Sequence, residues 1–358
     1  MNPNQEFPTF NLAAWRASAN NSSARMTLAQ SLTSTCHHTG FFLLTDHGVE
    51  APFIDRIFDL SRQFFESPTE LKDLMHKRHS PHFRGWESEG SEYTNGRPDI
   101  REQIDLWTEH PPHTQPGCTP YLNLLGPNQW PHDPAFAEFK PALGRWFQEL
   151  GAIADELMQA LAVGLGLSPG FFEQRFGEHR MSLTKLIRYP ATPKDAFGVN
   201  AHHDAGFLTL LSPGTTPGLQ IETADGSWAS VPVIENTFVV NLGEIIQSMT
   251  NNYLLATPHR VIADSPRQSA AYFHGPSLDM PLDPIELAAE FKEAVANSPR
   301  HQTAGFMARR EETDAGTGDM QSDHRPQVYG EQLWNYFVRS YPNIVEEHYP
   351  EMFKAGAS

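Results

Sequence analysis

Cysteine is nearly absent: Cys36 and Cys118 are the only two in 358 residues. Two thiols cannot build a disulfide framework or a cysteine-rich zinc site, and this usage fits a reducing compartment. Positive charge is also scarce, with 26 Lys and Arg against 43 Asp and Glu and a net charge of −17. No basic stripe exists to displace counterions from phosphates, which excludes a nucleic-acid binder. An anionic small molecule remains admissible, because one buried arginine captures a carboxylate locally. Long apolar runs are missing as well; none approaches the roughly 20 residues that span a bilayer, so no membrane partner is expected. The first residues lack a basic segment followed by an apolar one, so no signal peptide is read and a cytoplasmic setting is expected.

What is present suffices for a large core. The chain is 39% hydrophobic and 11% aromatic, with 23 Phe and 7 Trp, and its 29 Pro and 25 Gly are scattered rather than clustered. No repeat and no linker divides it, so one domain over residues 1–358 is expected. Residues 7–12 and 40–49 read as strands around a helix near 24–36. Phe53, Ile57, Phe58, Leu60, Phe64 and Phe65 then fall at helical spacing up to Pro68. Residues 80–119, rich in Gly, Pro, His and charge, read as a long loop with short strands. Within it His110, His113 and Cys118 lack the fourth ligand and the spacing of a structural metal site, and the pair His37–His38 has the same weakness.

The periodicity predicts one long scaffold helix over 133–165, with Phe139, Leu143, Trp146, Leu150, Leu157 and Leu161 on one stripe. Short β-like segments separated by Gly, Pro, Asn or Asp fill 183–280, a pattern for an antiparallel sandwich or barrel. Helices are expected from 281 onward, at 283–298 and 329–342. A polar stretch at 308–326 with few apolar residues reads as a mobile loop.

The chemistry concentrates in "FGVNAHHDAGFLTLLSP", residues 197–213. Side chains two apart on a strand share a face, so His202 projects with Asp204 and His203 projects oppositely. A second histidine from a neighbouring strand would complete a 2-His-1-carboxylate set, and His259 in "TPHRV" is the candidate. Such a set leaves three positions open on an octahedral Fe(II), as oxygenase chemistry requires. Eight residues on, Arg267 and Ser269 again share a face and suit the clamping of a carboxylate. Ala271 and Phe273 continue that face. Lys185, Ile187 and Tyr189 form the matching set on the strand "KLIRY", with the Tyr189 phenol a donor to a bound acid and Lys185 a contact for an anionic substrate. Glu92 is a candidate to neutralise a cationic group on the substrate, and Phe83, Arg84 and Trp86 are candidates for the pocket mouth.

With "TGFFLLTDHGV", "AHHDAGFLTLL", "FVVNLGE", "TPHRV", "RQSAAYF" and "YGEQLWNYFVRSYP" in order, the chain resembles the isopenicillin-N-synthase-like branch of the Fe(II)/2-oxoglutarate-dependent dioxygenases. Within that branch it looks most similar to the ethylene-forming enzyme and its relatives. The resemblance implies a double-stranded β-helix, a jelly roll flanked by helices. It implies iron ligands His202, Asp204 and His259, with Arg267 and Ser269 on the distal carboxylate of 2-oxoglutarate, Tyr189 beside them and Phe273 lining the cosubstrate pocket. The implied reaction uses O2 to decarboxylate 2-oxoglutarate and to hydroxylate, desaturate or cyclise a small substrate such as an amino acid or other carboxylate. Lys185 stands where the ethylene-forming enzyme has arginine, which sets ethylene formation from arginine apart as an alternative. In a cosubstrate-independent oxidase, the other alternative, Arg267 and Ser269 would hold the substrate's own carboxylate. A non-enzymatic binding barrel is disfavoured by the open triad.

Overall fold

The computed structural model describes residues 6–94, 96–113, 118–194, 196–303, 314–315 and 326–350. In chain order the strands are β1 Thr9–Asn11, β2 Phe41–Thr45, β3 Gly85–Glu87, β4 Tyr93–Thr94, β5 Arg97–Pro98, β6 Glu102–Trp107, β7 Leu183–Tyr189 and β8 Val199–His203. They continue as β9 Leu208–Ser212, β10 Leu219–Glu222, β11 Trp228–Ser230, β12 Phe238–Leu242, β13 His259–Val261, β14 Arg267–His274 and β15 Asp314–Ala315. Eight of them form one sheet in the order β1-β2-β12-β9-β14-β7-β6-β3, and five form a second in the order β11-β10-β13-β8-β15. This is the jelly-roll arrangement, and it recruits four N-terminal strands into the large sheet in addition to the expected 183–280 region.

The buried apolar side chains separate into two clusters, and strand alternation explains why. Phe42, Ile104, Leu186, Leu210, Val240 and Ala270 face the helices. Their neighbours Phe41, Leu43, Ile187, Tyr189 and Val239 face the second sheet, together with Val199, Ile221 and Val261. Both faces of the central strands are therefore buried, which is why "FFLLT" and "FVVNL" carry almost no polar residues.

The scaffold helix spans Phe139–Gly164 and buries Leu143, Trp146, Leu150, Ile153, Leu157 and Leu161. Residues 133–138 do not join it, contrary to the expected 133–165. A separate 3-10 turn, Pro134–Phe136, is capped by the Asp133 carboxylate accepting from the Ala135 amide at 2.8 Å. Proline at 134 and 141 restricts how far the α-helical ladder extends backward. The expected helix at 283–298 is likewise shorter, Ala289–Ala296. Upstream of it the Ile285 amide donates to the Met249 carbonyl at 2.7 Å, an extended docking that residues next to Pro284 favour. The C-terminal helix Tyr329–Ser340 is followed by a second, Pro342–His348, that periodicity did not isolate. The expected loop 308–326 lies outside the described residues apart from Asp314, Ala315 and Pro326. Among the described residues no helix is long and apolar enough to cross a membrane.

Candidate active site

Strand register builds the site. His202 on β8 and His259 on β13 are direct partners in the antiparallel ladder. Their ring centroids lie 4.2 Å apart. Asp204 follows β8 on the same side, and its Oδ1 is 3.8 Å from His202 Nε2 and 3.5 Å from His259 Nε2. One ligand atom from each of the three falls within 4.8 Å of the others, and no other such group of three exists among the described residues.

The second nitrogen of each imidazole fixes the tautomer. His202 Nδ1 donates to the Asn200 carbonyl at 2.9 Å and His259 Nδ1 to the Thr257 carbonyl at 3.2 Å. Each Nε2 therefore keeps a lone pair for a metal. Burial, and then His259 beside it, push the His202 imidazole down to about 3, so it is neutral at physiological pH. Burial works to raise the Asp204 carboxyl, but His259, His202 and Thr209 together hold it well below the usual carboxylate range. Its Oδ2 accepts from Thr209 Oγ1 at 2.6 Å and from Asn241 Nδ2 at 2.7 Å, which leaves Oδ1 turned to the histidines.

Thr209 and Asn241 were not singled out from the sequence. The signal was present: each is the one polar residue at an inward position of an otherwise apolar strand, and the two are register partners across β9 and β12. His203 points away from the triad, as alternation predicts, and its Nδ1 bonds the Ala256 carbonyl at 2.8 Å.

Arg267 lies in the same cavity, 4% exposed. Its guanidinium donates to the Thr216 and Pro213 carbonyls at 3.3 and 3.1 Å and lies 4.9 Å from the Tyr189 ring centre. Among the described residues no carboxylate pairs with it, and burial lowers its pKa from the ordinary arginine value. Gly218 packs beneath it at φ +155°, where an added Cβ would meet the Ile262 carbonyl at 2.4 Å and the Arg267 side chain at 3.1 Å.

The ladders align the inward positions in rows. Arg267 pairs with Tyr189, Ser269 with Ile187, Ala271 with Lys185 and Phe273 with Leu183. Lys185 in turn pairs with Asp105 and Leu183 with Trp107 on β6. These rows and the triad line one cavity of about 200 Å³, with Glu92, Arg101 and Tyr336 at its polar end. Glu92 is held by Arg101 at 2.7 Å and by Lys185 at 3.3 Å. Burial raises its carboxyl, but Lys185 and Arg101 outweigh that and keep it ionised.

Three expected pocket residues lie elsewhere. Phe83 stacks on Phe337 at 4.7 Å, beneath the C-terminal helices. Arg84 is fully buried, with its guanidinium on the His82 and Leu124 carbonyls at 2.7 Å each. Trp86 pairs with Ile104 across β3 and β6, so it shares the outer face, where its indole donates to Glu102 at 3.0 Å. None of the three lines the cavity. His110 bonds the Arg180 carbonyl at 2.8 Å and His37 stacks between Tyr253 and His301.

Residues 7–133 match the family model described as non-haem dioxygenase in morphine synthesis N-terminal. Residues 177–276 match the 2OG-Fe(II) oxygenase superfamily, the segment that holds the triad and Arg267. The chain belongs to the 2OG-Fe(II) oxygenase superfamily. It is an oxidoreductase that uses Fe(II) and 2-oxoglutarate.

This oxygenase is 28% identical over 321 residues to a homoarginine-6-hydroxylase of Arabidopsis thaliana, covering 88% of this chain and 82% of the relative. It is 28% identical over 346 residues to the 2-oxoglutarate-dependent dioxygenase frbJ of a Dothideomycetidae species, covering 93% and 91%. Among solved structures, a full-length Neurospora crassa protein in complex with alpha-KG and thymine shares the fold at TM-score 0.72 and 22% identity, covering 95% of this chain and 99% of that one. JOX2 in complex with 2OG, Fe and JA gives TM-score 0.63 and 26% identity, covering 79% and 78%. Kinship with the ethylene-forming enzyme in particular is not among the likenesses these comparisons show.

Proposed function

We propose that His202, Asp204 and His259 hold the Fe(II) and that Arg267, with Ser269 and Tyr189, anchors the distal carboxylate of 2-oxoglutarate. One observation carries the assignment: Arg267 is 4% exposed in the triad's cavity, with carbonyl partners and no carboxylate among the described residues. A guanidinium buried without a counter-ion is costly, and a ligand carboxylate supplies the missing partner. Phe273 and Ala271 bound the cosubstrate side, while Lys185, Ile187 and Glu92 bound the substrate side.

When bound, Fe(II) and 2-oxoglutarate supply the oxidising chemistry with O2, in which the cosubstrate becomes succinate and CO2 and the substrate is hydroxylated, desaturated or cyclised. The protein's own part is placement. Thr209 and Asn241 orient Asp204, the Asn200 and Thr257 carbonyls orient the two imidazoles, and Tyr336 and Phe337 close the cavity against water. Hydroxylation is the assigned outcome ahead of ethylene formation, because Lys185 replaces the arginine expected of an ethylene-forming site. The chain works as one domain over 1–358, since Glu92 and Asp105 come from its N-terminal third and Tyr336 from its C-terminal helix. Two free cysteines support a reducing, cytoplasmic setting. The named homoarginine hydroxylases put basic amino acids among the substrates to try first. The test is O2 uptake and succinate release with and without added 2-oxoglutarate; turnover that proceeds undiminished without it overturns the assignment.

A further inference from the structure

We propose that β6 is the strand that reads the substrate, and that this substrate carries a cationic nitrogen group bonded by Asp105. The proposal rests on the functional reading above and gives it a substrate class.

Gln103, Asp105 and Trp107 are the three successive inward positions of β6, and all are buried, at 1%, 2% and 3% exposure. Each holds one buried polar atom without a hydrogen-bond partner: Gln103 Oε1, Asp105 Oδ1 and Trp107 Nε1. Leaving such an atom unsatisfied costs about 1–3 kcal/mol. Three in a row on one strand, two of them on residues lining the cavity, mark a surface built to be completed by a ligand.

Asp105 is held from behind. Its Oδ2 accepts from Lys77 Nζ at 2.8 Å, and that ammonium, 0% exposed, also bonds the Tyr341 hydroxyl at 2.8 Å. The carboxylate is thus fixed in one orientation with Oδ1 left over. The acids around it are only partly matched by cations: Glu87, Glu92, Asp99 and Asp105 are joined by ion pairs to Lys77, Lys185 and Arg101, and burial pushes the Glu87 and Asp99 carboxyls up. Arg101 is committed to Glu92 at 2.7 Å and Asp99 at 3.1 Å, and Lys185 reaches Asp105 only at 3.6 Å. Asp105 therefore shares Lys77 with Glu87, and its Oδ1 has no hydrogen-bond partner among the described residues.

An ammonium, amidinium or guanidinium hydrogen-bonded to Asp105 Oδ1 supplies the missing partner of this carboxylate through a charge-assisted bond. One inward step along β6, the Trp107 indole is left to donate to an acceptor on the same molecule. Leu183, Ile187 and Leu211 line the cavity beside this row and suit an aliphatic body.

The test uses the full chain loaded anaerobically with Fe(II) and 2-oxoglutarate, whose visible charge-transfer band shifts when a substrate displaces water. Titration with L-homoarginine, L-arginine and L-lysine is compared with thymine and with indole-3-acetate. At least one of the cationic compounds is expected to shift the band and drive succinate release, and the neutral and anionic ones are not. Asp105→Asn is expected to raise the Kd of that cation at least about tenfold, the size of one charge-assisted hydrogen bond. If Asp105→Asn does not fold, Trp107→Phe, which removes the donor and keeps the shape, is expected to raise it about three- to tenfold. A wild type that forms the band but prefers thymine or indole-3-acetate, or responds to none of the five, overturns this inference alone, as does an unchanged Kd in the variant. A wild type that forms no band overturns the functional reading and this inference with it.

Discussion

His202 and His259 sit opposite each other across β8 and β13, and the carbonyls of Asn200 and Thr257, each two residues earlier in sequence, hold their Nδ1 atoms. The same local device on two strands presents both Nε2 atoms to Asp204. Adjacent His203 takes no part, and the pair separates the roles of neighbouring residues. His202→Ala is expected to abolish iron retention and turnover. His203→Ala is expected to keep iron and to lower the thermal midpoint, because it removes a buried bond to the Ala256 carbonyl. Iron content after desalting, read beside a melting curve, checks both.

Asp204 depends on Thr209 and Asn241. Removing either donor frees Oδ2 to turn toward the metal and loosens the triad. Asn241→Ala or Thr209→Val is expected to weaken iron affinity by about 10- to 100-fold with the fold intact. Competition with a calibrated Fe(II) chelator measures it; an unchanged affinity would mean that the Asp204 orientation is set elsewhere.

Arg267→Gln removes the only guanidinium contact assigned to 2-oxoglutarate. The KM for 2-oxoglutarate is expected to rise by roughly 10- to 100-fold, as for loss of a charge-assisted bond, with less effect on substrate KM. Gly218→Ala should act in the same direction through Arg267, since the added methyl presses on its side chain. Steady-state kinetics in 2-oxoglutarate at saturating substrate separate the two effects.

Acid sensitivity follows from the stacked pair His37 and His301, whose ring centroids are 4.0 Å apart. Burial, and then His37 beside it, push the His301 imidazole down to about 4. The unfolded chain takes up this proton near the ordinary histidine value of about 6.5. The contribution to stability is therefore complete above about pH 6.5 and is lost progressively as pH falls toward 4. His301→Gln is expected to flatten the dependence of the thermal midpoint on pH in that window. A variant as acid-sensitive as the wild type would assign the effect to other groups.

How much of this could be read from the chain depends on which face a strand hides. The triad was legible because H-x-D on a strand has only one register that puts His and Asp together. Arg267, Ser269 and Tyr189 follow from the same period. β6 was not legible as the second wall of the cavity: "EQIDLW" is buried on both faces, so it shows no apolar-polar alternation, and it falls within residues 80–119, which read as a long loop with short strands. The buried cations Lys72 and Lys77, which reach Glu102 and Asp105 from a distant segment, are what make those charges tolerable. Phe83, Arg84 and Trp86 were misplaced for a related reason. Their aromatic and basic character suits a pocket mouth, and only the pairing of β3 with β6 shows that Trp86 turns outward.

The central claim is that one Fe(II) and one 2-oxoglutarate share the cavity between His202, Asp204, His259 and Arg267. Anaerobic titration of the Fe(II)-loaded protein with 2-oxoglutarate tests it most directly, by the visible charge-transfer band. The account predicts a saturable band in the wild type and in His203→Ala, a band weakened by Arg267→Gln, and none in Asp204→Ala. A full-strength band in Asp204→Ala, or equal affinity for 2-oxoglutarate with and without Arg267, would contradict it.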